Sequence, residues 1–131
     1  RKQEELEWKE RRDHYNNIWS EAHGAGKKWD DTPEGKKARH DFLKEYDRLE
    51  DLLYSGKTTT SEDNERYMKA QERYLRGGLR AEAEHIRKKY GDQELINYVN
   101  FTMENANLKE KATTVQEALE LYENTWEWHA D

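Results

Sequence analysis

Apolar residues recur every three or four positions along most of the chain, a spacing that places them on one face of an α-helix. The first such segment covers about residues 3–22, and the two glycines within residues 24–26 predict a C-terminal cap and a turn. A second helix begins where Thr32 can cap it and Pro33 can take the first helical position, and its apolar stripe runs to about Tyr54.

The third predicted helix covers about residues 61–90, with Ser61 as its cap and Gly91 at its end. Gly77 and Gly78 lie in its middle, where each costs about 1 kcal/mol relative to Ala. The pair therefore predicts a kink, a break or a close crossing with another helix.

Residues 93–106 are the most apolar part of the chain, and their spacing predicts a core helix capped by Asp92. A strand is the alternative, although the chain offers no second strand to pair with it. The last segment begins with Thr114 and Glu117 at the spacing of a capping box, and it ends near His129 as a fifth amphipathic helix.

Together these segments predict an all-α fold, a bundle of four or five amphipathic helices that forms a single helical domain over residues 1–131. The chain begins with Arg1 rather than Met, so we expect a domain excised from a larger protein. The residues nearest the centre of each apolar stripe are expected to form the core: Trp19, Phe42, Tyr46, Leu49, Leu79, Val99, Leu119 and Tyr122.

Charged residues make up 40% of the chain, but 23 basic and 29 acidic residues nearly cancel to a net charge of −6. Five Trp and eight Tyr supply apolar surface that disordered chains lack, so the composition favours helices with an aromatic core and ion-paired outer faces. The absence of Cys excludes disulfides and thiolate metal sites, and no apolar run reaches the ~18 residues of a membrane span. We therefore expect a cytoplasmic domain without a membrane segment.

Motifs for catalysis or ligand binding are incomplete. Residues 24–28 share features with the end of a phosphate-binding loop, but its first glycine, its final Ser or Thr and the preceding strand are missing. Glu82 and His85 have the spacing by which one helix offers two ligands to a metal, yet no second copy exists, and a surface ion pair is the simpler interpretation. No serine lies in a glycine-flanked elbow. The sequence predicts no enzyme activity, no cofactor and no metal site.

The most informative charge pattern lies in the third predicted helix. Six basic residues, spaced three, four, three, four and seven positions apart, fall within a sector of about 80° on the helix surface. Residues 66–89 contain eight basic and three acidic residues, whereas residues 101–131 contain two basic and seven acidic ones. We define the basic ridge as Arg66, Lys69, Arg73, Arg76, Arg80 and Arg87.

Two interpretations of the basic ridge stay open at this point. Arginine makes bidentate contacts with phosphate groups and Tyr74 lies beside the ridge for base stacking, a combination that suits a nucleic-acid backbone. Alternatively, the ridge is a solvated face that pairs with the acidic C-terminal helix of the same fold. The negative net charge favours this second interpretation, since it weakens attraction to nucleic acid.

Trp126 and Trp128 stand two residues apart on the last predicted helix, so they point about 160° away from each other. Both cannot face the same core, and Trp128, near the end of the chain, is predicted to be exposed or to dock a partner. Packing of this chain end against Trp8 or Trp19 is the alternative.

These observations predict a non-catalytic protein-interaction or assembly domain with an unidentified protein partner. The alternative is a nucleic-acid-binding helical domain that uses the ridge from Arg66 to Arg87.

Overall fold

Five α-helices account for most of the chain in a computed structural model that describes residues 1–130. They are α1 (Lys2–Trp29), α2 (Pro33–Tyr54), α3 (Ser61–Tyr90), α4 (Asp92–Asn105) and α5 (Val115–Asn124). A 3₁₀ helix, Thr125–His129, follows α5. The described residues contain no strand, which confirms the all-α prediction, and none of their helices is long and apolar enough to cross a membrane.

The centre of the fold is α3, which packs against each of the other four helices. Its C-terminal half contributes to the core, while its N-terminal half packs beside α2 through aromatic contacts. The core includes Ile18, Ala22, Leu79, Ala83, Ile86, Leu95, Ile96, Tyr98, Val99, Met103, Ala118, Leu119, Tyr122 and Trp126. The predicted burial of Leu79, Val99, Leu119 and Tyr122 is thereby confirmed.

The other four residues predicted for the core are less buried than expected. Trp19 is 53% exposed, because Ile18 takes the inward position of α1 and leaves the indole at the surface. Tyr46 is 43% exposed, since α2 packs mainly against α3 and its apolar stripe is covered on one side only. Phe42 and Leu49 are partly buried for the same reason.

The predicted turn at residues 24–26 is wrong, since α1 continues through both glycines to Trp29. Gly26 is buried where α1 crosses α3. A Cβ atom at this position would lie 3.3 Å from the carbonyl oxygen of Gly78 and 3.0 Å from Cγ of Glu82. The missing side chain lets the two helices approach closely, so packing overrides the turn preference of glycine.

The glycine pair of α3 lies at a close crossing and does not break the helix, which is continuous through it. The Trp29 ring lies against Gly77, where an added Cβ would be 2.3 Å from the ring carbons Cη2 and Cζ2. A Cβ on Gly78 would meet no atom within 4 Å. Packing therefore requires the first glycine and leaves open space beside the second.

Two predicted helix caps are displaced by one residue. Thr60, not Ser61, caps α3: its Oγ1 accepts a hydrogen bond from the Asp63 N–H (3.1 Å), and the Asp63 carboxylate accepts one from the Thr60 N–H (3.0 Å). This second hydrogen bond is the main cause of the low pKa of Asp63, about 2. Gly91 precedes α4, so Asp92 is the first residue of that helix and not its cap.

The remaining boundaries agree with the sequence. Thr32 and Thr114 cap α2 and α5, each accepting a hydrogen bond from the backbone N–H three residues on, at 3.0 and 3.1 Å. Residues 93–106 fall almost entirely in α4, so the strand alternative is wrong. The fifth predicted helix is α-helical to Asn124 and continues as the tighter 3₁₀ helix to His129.

A polar bridge fixes the start of α5. The Asn100 side chain donates a hydrogen bond to the Ala112 carbonyl (2.9 Å) and accepts one from its N–H (2.7 Å). Ala112 is only 3% exposed, so these bonds satisfy backbone groups that would otherwise be buried without partners. The loop is thereby tied to α4, and α5 and the 3₁₀ helix return across α3.

Gly77→Ala should destabilise the fold, whereas Gly78→Ala should stabilise it. At Gly77 the new Cβ forces the Trp29 ring to move, at a cost of roughly 1–3 kcal/mol for overpacking. At Gly78 the space is open, and replacing a glycine inside a helix gains about 0.5–1 kcal/mol. Urea unfolding followed by circular dichroism measures both free energies. Equal changes in the two variants would contradict the role assigned to the Trp29 contact.

Candidate functional site

All six residues of the basic ridge lie on the outer surface of α3, with side chains between 39% and 67% exposed. Each has an acidic neighbour. The ion pairs are Arg66–Glu45 (2.8 Å), Lys69–Glu65 (3.0 Å), Arg73–Asp41 (4.0 Å), Arg76–Glu72 (3.0 Å), Arg80–Glu123 (3.3 Å) and Arg87–Asp92 (2.9 Å). The basic ridge is therefore open to solvent, but each of its six positive charges has a carboxylate within 4.0 Å.

The acidic neighbours come from both sides of the ridge. Arg80 contacts Glu123 of α5, and Arg76 hydrogen-bonds to Asn124 at the end of that helix. Toward the other end, Arg66 and Arg73 contact α2. Pairing with the acidic C-terminal helix, as the sequence suggested, thus holds for the middle of the ridge, whereas α2 supplies carboxylates that the sequence analysis did not identify.

Trp128 is 49% exposed and Trp126 is 8% exposed, which confirms that the two indoles cannot share one core. Trp128 lies at a groove of about 310 Å³ between α1, α4 and the 3₁₀ helix. We define the aromatic groove by the rings that line it, which are those of Tyr15, Trp19, Tyr98, Phe101 and Trp128. Trp128 therefore shares a surface with Trp19, whereas Trp8 lies on the exposed N-terminal part of α1, beneath the Arg12 guanidinium.

A second concave surface lies on the other side of Trp19. It is a crevice of about 320 Å³ between α1 and α3, closed at one end by α5 and the 3₁₀ helix. We define the Glu82 crevice by its lining residues: Trp19, His23, Gly26, Lys27, Asp30, Tyr74, Leu75, Gly78, Leu79, Glu82, Tyr122 and His129. The Trp19 and His23 rings stack at its mouth, 5.2 Å apart and 7° from parallel.

Glu82 is a buried carboxylate, only 9% exposed, in the wall of this crevice. The Tyr122 hydroxyl donates a hydrogen bond to its Oε1 atom (2.8 Å). Burial raises the pKa of Glu82, and this effect outweighs the opposing influence of the Tyr122 hydrogen bond and of the nearby His23 and His129. Burial also raises the pKa of Tyr122 well above its usual value, so its hydroxyl stays a donor at neutral pH.

Glu82 and His85 do not converge on a common ligand. Glu82 faces the crevice, whereas the His85 imidazole lies 3.9 Å from the Glu21 carboxylate of α1. Within residues 1–130, no group of three His, Asp or Glu side chains is placed to hold a metal ion. The interpretation of this motif as a surface ion pair fits His85 but not Glu82. No feature of the sequence indicates that Glu82 is buried while most other acidic residues are exposed.

The chain matches no protein-family model, and no curated protein or solved structure is significantly similar to it.

Glu82→Gln should stabilise the protein at neutral pH, and the gain should shrink as the pH falls. Because the pKa of Glu82 is raised in the folded state, the contribution of this group to stability is fully present below the usual value of 4.5 and is lost as the pH rises through the raised pKa. Glutamine keeps the Tyr122 hydrogen bond without this loss. Thermal unfolding at several pH values measures the difference.

Glu84→Gln is the matched control, since it removes one negative charge from the exposed side of the same helix. It should change the unfolding free energy by no more than about 0.5 kcal/mol. A Glu82→Gln variant less stable than the wild type at neutral pH would rule out a dominant burial penalty.

The paired ridge should bind nucleic acid weakly or not at all. A free site with six phosphate contacts would be strongly retained at ~50 mM salt. Each ridge cation already has an acidic neighbour, so we expect fluorescence anisotropy to detect no binding of single- or double-stranded DNA at this salt concentration. Salt-sensitive binding by the wild type that Arg73→Glu combined with Arg76→Glu abolishes would be the opposite outcome and would support a nucleic-acid interface.

Proposed function

We propose that this chain is a non-catalytic helical protein-interaction domain whose partner docks on the aromatic groove. The observation that carries this proposal is Trp128, a tryptophan near the end of the chain that is 49% exposed at the edge of a groove lined by other aromatic rings. Trp19, at the same groove, is 53% exposed. Two half-exposed indoles at one concave surface are costly in water and favourable in an interface.

The groove has the rigidity that an interface needs. Tyr15 and Phe101 pack with ring centroids 4.6 Å apart, and Tyr98 is buried beneath them with Tyr122 at 5.8 Å. The rings of Tyr15, Tyr98 and Phe101 therefore rest on the core and do not have to be ordered when a partner binds, which lowers the entropic cost of binding. The size of the groove suits one apolar side chain of a partner as its anchor.

Charge indicates the nature of the partner segment. Residues 101–131 contain seven acidic and two basic residues, and they include the groove residues Phe101, Asn105 and Trp128. Glu104, next to the groove residue Asn105, is 65% exposed, and Arg11 at 3.8 Å neutralises it only in part. We infer that the partner presents an apolar anchor within a basic segment, since complementary charge speeds association and selects partners.

Nucleic-acid binding through the basic ridge is the second candidate function. It is favoured by the exposure of the ridge side chains, which reaches 67% at Lys69. Against it, a phosphate backbone would have to displace the ion pairs of Arg66, Arg80 and the other ridge residues from their carboxylates. The net charge of −6 adds long-range repulsion. We therefore rank it below protein interaction.

Trp128→Ala should abolish or strongly weaken binding of the partner, whereas Trp8→Ala should leave this binding unchanged. The two indoles are equally exposed, at 49% and 50%, but only Trp128 lies at the groove. Quantitative affinity capture from extracts of the source cells, with wild type and both variants as baits, identifies proteins lost with Trp128→Ala alone. For the purified partner, we expect calorimetry to give a loss of roughly 30-fold or more in Kd, the effect of removing a hot-spot tryptophan.

The same experiment contains the contrary outcome. A partner retained equally by wild type and Trp128→Ala would place the interface elsewhere, and loss of the partner with Trp8→Ala alone would place it on the exposed start of α1. Circular dichroism of each variant confirms that the fold is intact before the comparison is made.

A further inference from the structure

We propose that the Glu82 crevice is a binding site for a small organic cation, an ammonium or amidinium group carried on a flat apolar body, with Glu82 as the ion-pair partner of that group. The inference is independent of the aromatic groove, which lies on the other side of Trp19.

The first argument is that Glu82 is a buried carboxylate without a cation. Within residues 1–130, no Lys, Arg or His forms an ion pair with it, and Tyr122 is its one hydrogen-bond donor. Less buried carboxylates of the fold do have such partners: Glu45, Asp63 and Glu94 lie 2.8, 2.6 and 2.8 Å from Arg or His nitrogens. A buried charge is normally paired, and a cation bound in the crevice would give Glu82 the ion-pair partner that no side chain of residues 1–130 supplies.

The second argument is the free oxygen of this carboxylate. Oε1 accepts the hydrogen bond from Tyr122, while Oε2 lies on the side of Gly26, where a Cβ would be only 3.1 Å away. A side chain on α1 at this position would therefore crowd Oε2. Glycine leaves that oxygen accessible from the crevice, and an ionised carboxylate can accept further hydrogen bonds there.

The third argument is the open space beside Gly78, where glycine makes the helix less stable than alanine would. Gly78 lies in the interior of α3 and lines the crevice, yet a Cβ on it would contact nothing within 4 Å. Alanine would thus fit and would favour the helix by about 1 kcal/mol. Packing in the free protein gives no reason for glycine at this position, whereas a ligand lying against the α3 backbone does.

The lining defines the ligand class. Aromatic rings of Trp19 and Tyr74 border the crevice, and the Leu75 and Leu79 side chains supply apolar walls. Such surroundings favour a flat apolar body with a cation at one end, since the rings attract cations as well as bury apolar area. A volume of about 320 Å³ is at the small end of ligand sites, which limits the body to about one ring system.

The charges that face the crevice also favour a cation. Besides Glu82, α1 contributes the carboxylate of Asp30 and the ammonium of Lys27, so one negative charge stays unbalanced when His23 and His129 are neutral. A monovalent cation restores neutrality. An anionic ligand would have to approach two carboxylates in a partly desolvated space, which is unfavourable.

Benzamidine and benzamide test the proposal, because the two molecules have nearly the same shape and only the first is charged. Titrations followed by nitrogen–proton correlation NMR should show benzamidine shifting amide signals of Gly26, Gly78 and Glu82, with a Kd near or below ~1 mM, the range of fragment-sized ligands. Benzamide should cause no comparable shifts. N-acetylarginine amide, titrated in parallel, tests whether a guanidinium from a protein side chain is accepted as well as a free small molecule.

Glu82→Gln should weaken benzamidine binding at least tenfold, while Glu84→Gln, which removes the same charge from the exposed side of α3, should leave it unchanged. Gly78→Leu is a second variant, which fills the crevice but keeps the carboxylate, so it should also weaken benzamidine binding. Three results would each overturn the proposal. They are equal binding of benzamidine and benzamide, no binding of either benzamidine or N-acetylarginine amide, and benzamidine binding that survives Glu82→Gln. Trp128→Ala should not affect benzamidine, so failure of this site and failure of the aromatic groove are distinguishable.

Discussion

The close crossing of α1 and α3 is the constraint on which the rest of the structure depends. Gly26 brings the two helices together, and the Trp29 ring lies against Gly77 one turn further along. Because α3 packs against every other helix, its position relative to α1 determines where the core forms and where α4 and α5 close over it. The crossing also places the side chain of Glu82 between the helices, so the same contact that organises the fold buries this carboxyl group more deeply than any other acidic side chain of residues 1–130.

The sequence predicts helices well because their periodicity and caps agree with one another. Thr32 and Thr114 illustrate this, since each combines a capping side chain with an apolar stripe that follows it. The sequence failed at residues 24–26, where glycine serves helix packing instead of chain reversal, and at Trp19, where a hydrophobic residue of the predicted stripe faces the surface. Both outcomes depend on a partner helix distant in sequence, which local patterns do not contain.

The candidate sites show the same limit. Spacing on one helix was enough to place the six ridge cations on one face and to separate Trp126 from Trp128. It could not reveal that Glu45 and Asp41 of α2 would neutralise that face, since this depends on how two helices pack. The burial of Glu82 could not be predicted for a different reason. The chain has 29 acidic residues, and only the fold shows that Glu82 is buried opposite glycines.

The one-sided packing of α2 has a consequence for the dynamics of the protein. This helix is held mainly by rings of α3, such as Tyr67 and Tyr74 against Phe42, while Leu53 and Tyr54 at its end stay 65% and 86% exposed. Local opening requires less free energy where few apolar contacts are broken, so α2 is expected to separate as a unit while α1, α4 and α5 remain assembled on α3. Such an excursion would release the carboxylates of Asp41 and Glu45 from the ridge and transiently expose its arginines. The net charge that this surface presents to solvent would then depend on how often α2 separates from α3.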